Sequence, residues 1–302
     1  MSDAVLVLPA ELAPTSAEVD EYGVPTTQRN HIWYEYNDSD TVVVFVHGIF
    51  SNSRTCWTHK PKTSIRKSLA GANNSEGKVY WPRLVLEDSK FGRPSIFLSG
   101  FYTELINSGD YKIRDAAEEI YKNLSISIDG TEPVLSKKNI VFITHSTGGI
   151  AVRHMLVKKL ASFSSKNVLL FLIASPSLGA ADADRLEWLA KKAKQELGLQ
   201  LMLGNPFLDE LDKDFKDLVN EKKIPNLSGV EAIENHFIVR WMGLFSKEVL
   251  VKEESAARYF GSPKRLANTD HFTTVKPDGD THPSHVLLKY HWKQYMERLE
   301  GQ

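Results

Sequence analysis

The chain has 302 residues, 42% hydrophobic and 25% charged, enough apolar material for a large core and too much for a disordered chain. Its 37 Lys and Arg against 38 Asp and Glu leave a formal net charge of −1, with no long block of one sign, so a nucleic-acid partner is not expected. The single cysteine, Cys56, cannot form an internal disulfide and fits a reducing compartment. The first residues lack the basic start and apolar stretch of a secretion signal, and no apolar run reaches the ~18 residues of a bilayer span. The expected location is cytoplasmic, without a transmembrane segment, although peripheral membrane contact stays open.

Residues 1–29 read as an N-terminal arm. His31 to Tyr36 then reads as an early edge strand and Thr41 to Val46, TVVVFV, as a buried strand. Lys60, Lys62, Arg66 and Lys67 are diluted by Ser and Thr and read as a solvated face. Trp81, Pro82, Asp88, Phe97, Phe101 and Tyr102 surround the next strand, Ser95 to Leu98, and read mainly as packing. Asn139 to Thr144 is a third strand, with a helical run behind it, and Val168 to Ala174 a fourth. From about 180 to 230 lies an insertion with two amphipathic stripes, Leu186, Leu189, Ala190, Ala193 and Leu197, then Leu208, Leu211, Phe215 and Leu218. It reads as a helical cap, with Trp188, Leu201, Met202, Leu203 and Phe207 available to line an acyl pocket or to pack in the core. His236 to Trp241 reads as the next strand. Apolar runs alternating with helical periods predict an α/β fold, a mostly parallel sheet with helices on both faces, within one domain of 302 residues. Chemistry is then expected in the loops beyond the carboxyl ends of the strands.

The most informative stretch is NIVFITHSTGGIAVR, Asn139 to Arg153. A strand, a tight turn and a helix meet at Ser146. A nucleophile elbow needs small residues two before and two after its serine, because neighbouring backbones come close there. Gly148 meets that need, whereas Thr144 stands where the pattern has glycine. The elbow also leaves the Thr147 N–H at a helix start, where donors are unpaired and negative charge is favoured. The bland alternative is that Ser146 merely caps the helix. It loses ground to a second motif, His47-Gly48 at the end of TVVVFVHGIF, from which the Ile49 N–H could serve as second oxyanion donor. His47 itself reads as a support for its loop.

The blocks FVHGIF, THSTGG, LIASPSLG and DHFTTVKP, in this order, resemble the α/β hydrolases of the lipase and GPI-inositol-deacylase-like branch, over most of residues 41–293. In such proteins a serine follows the fifth strand, an acid the seventh and a histidine the eighth. The resemblance implies Ser146 as nucleophile, a glutamate within 248–254 as acid and His271 as general base. Glu248 is the first choice because it lies nearest the strand expected at His236 to Trp241. Glu254 is the alternative, Glu253 also qualifies, and Asp270 ranks last because side chains adjacent in sequence rarely point the right way for the triad contact. His145 and His154 read as packing or hydrogen-bonding residues, and His282, His285 and His291 as surface residues without metal-ligand spacing.

No phosphate loop, dinucleotide fingerprint or cysteine pair is present, so no cofactor and no metal are implied. The expected activity is hydrolysis of a carboxylic ester, lipase-, esterase- or thioesterase-like, through a Ser-His-Glu triad and an acyl-enzyme. Its substrate would be a small-molecule or lipid-like ester. Two other readings stay open: an acyltransferase, and a catalytically silent module that keeps the fold for binding or regulation.

Overall fold

The computed structural model describes residues 16–49, 51–61, 77–102, 111–177, 200–201, 204–235 and 259–301. Seven strands form the main sheet: β1 (Ile32–Glu35), β2 (Thr41–Val46), β5 (Ser95–Ser99), β6 (Asn139–His145), β7 (Asn167–Ile173), β8 (Asn226–Glu234) and β9 (Lys264–Leu266). Their order is β1-β5-β2-β6-β7-β8-β9. β1 runs antiparallel to β5 at one edge, as an early edge strand should, and every other pairing is parallel. A separate ribbon pairs β3 (Thr58–His59) with β4 (Val79–Tyr80).

The central strands are β-branched and aromatic because both of their faces are covered. Successive side chains alternate between two cores. Val42, Val44 and Val46 join one, and Val43 and Phe45 the other. The first face carries α2 (Ile113–Ser125), α3 (Thr147–Lys158) and α5 (Pro206–Asn220). The second carries α1 (Trp81–Glu87) and α6 (Pro283–Glu300). A one-turn helix, α4 (Leu160–Phe163), links α3 to β7. The expected mostly parallel α/β sheet is therefore correct, and the strand starting at Thr41 has the bounds read from sequence.

Of the two stripes expected between 180 and 230, the first lies outside the described residues. The second forms α5, whose Leu208, Leu211, Phe215 and Leu218 are all buried. They meet α3, where the wholly buried Arg153 donates to the Tyr259 hydroxyl and lies 5.0 Å from the Tyr259 ring centroid and 5.8 Å from that of Phe215. Leu201 is buried in the same core, and Phe207 packs on His154 with centroids 5.2 Å apart. Trp188, Met202 and Leu203 are outside the described residues.

His285 corrects the sequence reading: it is wholly buried rather than on the surface. On α6 it stands three residues before Leu288 and seven before Trp292, so helical period places it on the buried stripe. Trp81 Nε1 donates to His285 Nδ1 at 3.1 Å. An indole N–H only donates, so the imidazole proton sits on Nε2, which donates to Asp88 Oδ2 at 3.1 Å. This chain of bonds fastens α6 to α1. No helix of the described residues is long and apolar enough to cross a membrane.

Candidate active site

The parallel register brings the ends of three strands level: Val46 on β2 faces Thr144 on β6, and His145 faces Ile173 on β7. After β2 the chain crosses to β5 on one side and later returns to β6 on the other. Connections thus leave β2 and β6 in opposite directions, opening a crevice at their carboxyl ends.

Ser146 occupies that crevice between β6 and α3. Its φ of 50° and ψ of −124° lie outside the usual regions for a residue with a side chain. The Ser146 N–H donates to the Ile173 carbonyl at 2.9 Å, holding the turn against β7. Its hydroxyl makes no cap hydrogen bond to α3, so the helix-cap reading of this serine does not describe it. A Cβ on Gly148 would lie 2.4 Å from the His47 carbonyl oxygen and 2.7 Å from that of Val46. Glycine is required there because the start of α3 presses directly on the end of β2. Thr144 is tolerated at the departing position because it is wholly buried and donates to the Phe171 carbonyl at 3.2 Å.

The loop after β2 meets the same turn, since a Cβ on Gly48 would lie 3.0 Å from Ser146 Cβ. The Gly48 carbonyl accepts from His47 Nδ1 at 3.0 Å and from Ser51 Oγ at 2.8 Å. The chain has no cis peptide bond among the described residues, so the Ile49 N–H points away from both of those donors. No hydrogen bond among the described residues uses it. Thr147 is the first residue of α3, so its N–H has no partner within the helix. His47 stacks on the buried Phe101 with centroids 5.0 Å apart. Burial pushes its imidazole down to about 4, so it is a neutral loop support, as its sequence position implied.

His271 follows β9 and is joined to the elbow by His145 Nε2, 2.9 Å from the His271 carbonyl oxygen. The two imidazoles lie 4.9 Å apart, centroid to centroid. The His271 side chain is 11% exposed, and its Nδ1 lies 3.7 Å from Oε1 of the wholly buried Glu234. Glu234 ends β8, and the next residue's N–H, from Asn235, donates to the Thr269 carbonyl at 3.2 Å. The end of β8 and the loop bearing His271 are therefore stitched together by backbone.

The mature form of lipase BlEst2 from Bacillus licheniformis superposes on the chain with a TM-score of 0.51 at 15% identity, over 84% of this chain and 93% of that one. The fold is that of the α/β hydrolases. Phospholipase PlaB from Legionella pneumophila gives a TM-score of 0.43 at 18% identity, over 65% of this chain and only 39% of that chain. The peroxisomal α/β-hydrolase Lpx1 from Saccharomyces cerevisiae gives 0.41 at 13% identity, over 86% and 76%. No protein-family model and no curated protein matches the chain.

Within the α/β-hydrolase fold, Ser146, Glu234 and His271 follow the fourth, sixth and seventh main-sheet strands described here. The intervals match the fifth, seventh and eighth of the family pattern. Glu248, Glu253 and Glu254 lie outside the described residues, as does the strand expected at His236 to Trp241. Asp270 turns back on its own loop, its Oδ1 accepting from the N–H groups of Phe272 and Thr273 at 2.9 and 2.8 Å. Glu234 is not among the acids expected from the sequence, because β8, NLSGVEAIE, carries two glutamates and a glycine, whereas the more apolar HFIVRW just beyond it reads as the strand. No alternation marks the segment, since Ala232 and Ile233 are adjacent apolar residues, so the sequence carries no clear strand signal there.

Proposed function

We propose that this chain is a serine hydrolase cleaving a carboxylic ester, with Ser146 as nucleophile, His271 as general base and Glu234 as triad acid. The observation that carries the reading is the left-handed Ser146 turn, its hydroxyl unused as a cap, beside an imidazole whose Nδ1 faces a buried carboxylate. A hydroxyl used only for structure has no need of that strained backbone.

In the first step Ser146 Oγ bonds to the ester carbonyl carbon while its proton passes to His271 Nε2. Glu234 holds the imidazole by Nδ1 and stabilises the imidazolium. The negative oxygen is received by the N–H groups of Ile49 and Thr147. Collapse breaks the ester C–O bond, and the His271 proton leaves with the alcohol. Water then loses a proton to His271 as its oxygen attacks the acyl-enzyme, and the proton returns to Ser146 as the acid departs. Phe272, 51% exposed and nearly perpendicular to the His271 ring with centroids 5.4 Å apart, offers apolar surface beside the base, which favours a hydrophobic or lipid-like ester.

The test is labelling by a fluorophosphonate probe, which needs an activated serine, in wild type, Ser146→Ala, His271→Ala, Glu234→Gln, Glu248→Gln and Glu254→Gln, each confirmed as folded. The reading expects labelled wild type, none in the Ser146 and His271 variants, and a severe loss in Glu234→Gln alone among the glutamates. A folded wild type that never labels would overturn it in favour of a binding module. A severe loss confined to Glu248→Gln or Glu254→Gln would transfer the acid role.

A further inference from the structure

The carbonyl oxygen of His271 accepts two hydrogen bonds from different directions. His145 Nε2 reaches it at 2.9 Å from the residue before Ser146, and Thr274 Oγ1 at 3.0 Å from the short 3-10 turn Thr273–Val275. A carbonyl only accepts, so the His145 proton sits on Nε2 and Nδ1 is a bare lone pair. Cys56 Sγ lies 3.6 Å from that Nδ1, close enough for a weak S–H donor. Burial pushes the thiol up to about 11, which keeps the hydrogen on sulfur. Burial, followed by the proximity of His271, holds His145 well below the usual imidazole range, so it remains neutral.

We propose that His145 and Thr274 are positioning residues that clamp the backbone carbonyl of His271 and thereby keep the base in register with the nucleophile elbow. This rests on the roles assigned above to Ser146 and His271. Two donors fix the plane of the peptide after His271, while Glu234 Oε1 faces the ring at Nδ1 from 3.7 Å. Backbone and ring thus meet different partners. The His145 bond matters most because it spans from the base loop to β6, where the next residue is the nucleophile. A shift of either loop alone must stretch it.

The experiment measures the concentration dependence of fluorophosphonate inactivation, which separates probe affinity (KI) from the chemical step (kinact), together with the melting temperature. The proteins are wild type, His145→Leu, His145→Gln, Thr274→Val and His271→Ala. A displaced base costs the chemical step, so His145→Leu and Thr274→Val should lower kinact by about 10–100-fold with KI nearly unchanged. His145→Gln keeps an N–H donor and should recover most of the loss. Wild-type kinact in folded His145→Leu and Thr274→Val, with His271→Ala inactive, overturns the clamp alone. Parallel losses in KI, kinact and melting temperature without rescue by Gln also overturn it, as a purely structural role would produce them. Where His145→Leu does not fold, Thr274→Val decides, and wild-type kinact there rejects the clamp. A wild type that does not label, or a His271→Ala that labels normally, overturns the parent assignment and this inference with it.

Discussion

Glu234 Oε1 lies 3.7 Å from His271 Nδ1, and the carboxylate is wholly buried while the imidazole is 11% exposed. The separation exceeds a normal hydrogen bond, and catalytic hydrogen bonds commonly tighten only when substrate is bound. A buried carboxylate gains little from water, so its effect on a developing imidazolium is strong. Glu234→Gln keeps the shape and removes the charge, and should lower the rate of ester hydrolysis by about 10³–10⁴-fold. Steady-state assay of the purified variant on a chromogenic ester checks this. A loss below tenfold would remove Glu234 from the triad.

The elbow makes a prediction about stability. At φ 50° and ψ −124° a side-chain-bearing residue carries strain of roughly 1–3 kcal/mol, which glycine escapes. Ser146→Gly should therefore abolish activity and raise the melting temperature above that of Ser146→Ala, which loses the hydroxyl but keeps the Cβ. Differential scanning calorimetry on the two variants decides the matter, and equal melting temperatures would contradict the strain.

Gly148 should tolerate no side chain. The added Cβ of Gly148→Ala would lie 2.4 Å from a backbone oxygen of His47, which no rotamer change relieves. Moving β2 away from α3 should cost about 1–3 kcal/mol and separate the Ile49 and Thr147 donors. Urea unfolding should show the loss of stability, and the labelling rate should fall by more than stability alone explains.

Acid should weaken the fold well before the carboxylates titrate. Burial pushes His47 down to about 4 and holds His145 well below 6.5, so both are neutral when folded, whereas unfolded imidazoles protonate near 6.5. Below that pH the unfolded chain binds more protons. The contribution of these histidines is thus complete above about 6.5 and declines as pH falls toward 4, by up to about 1.4 kcal/mol per pH unit for each. Unfolding free energy should drop by about 2–4 kcal/mol between pH 7.5 and 5.0. Urea titrations at the two pH values measure it, and a flat profile would show that these rings are not neutral in the fold.

Local pattern determined much of this protein. TVVVFV and NIVFIT read as strands buried on both faces, and His-Ser-Thr-Gly-Gly between strand and helix set the Ser146 turn, because backbone preference, side-chain branching and the need for glycine act over a few residues. Helical period alone marked Leu208, Leu211, Phe215 and Leu218 as a buried stripe. Which carboxylate faces His271 was decided elsewhere. Glu234 and His271 meet only because β8 and β9 pair in parallel and the Asn235 N–H bonds to the Thr269 carbonyl, contacts between segments far apart in the chain. The same holds for His285, which Trp81 and Asp88 enclose from the opposite end of the sequence, and for His145, whose partners are Cys56 and His271. A strand records in its own residues that it will be buried, but its neighbours in the sheet are chosen by long-range pairing, and the side chains gathered at the sheet's carboxyl edge depend on that choice.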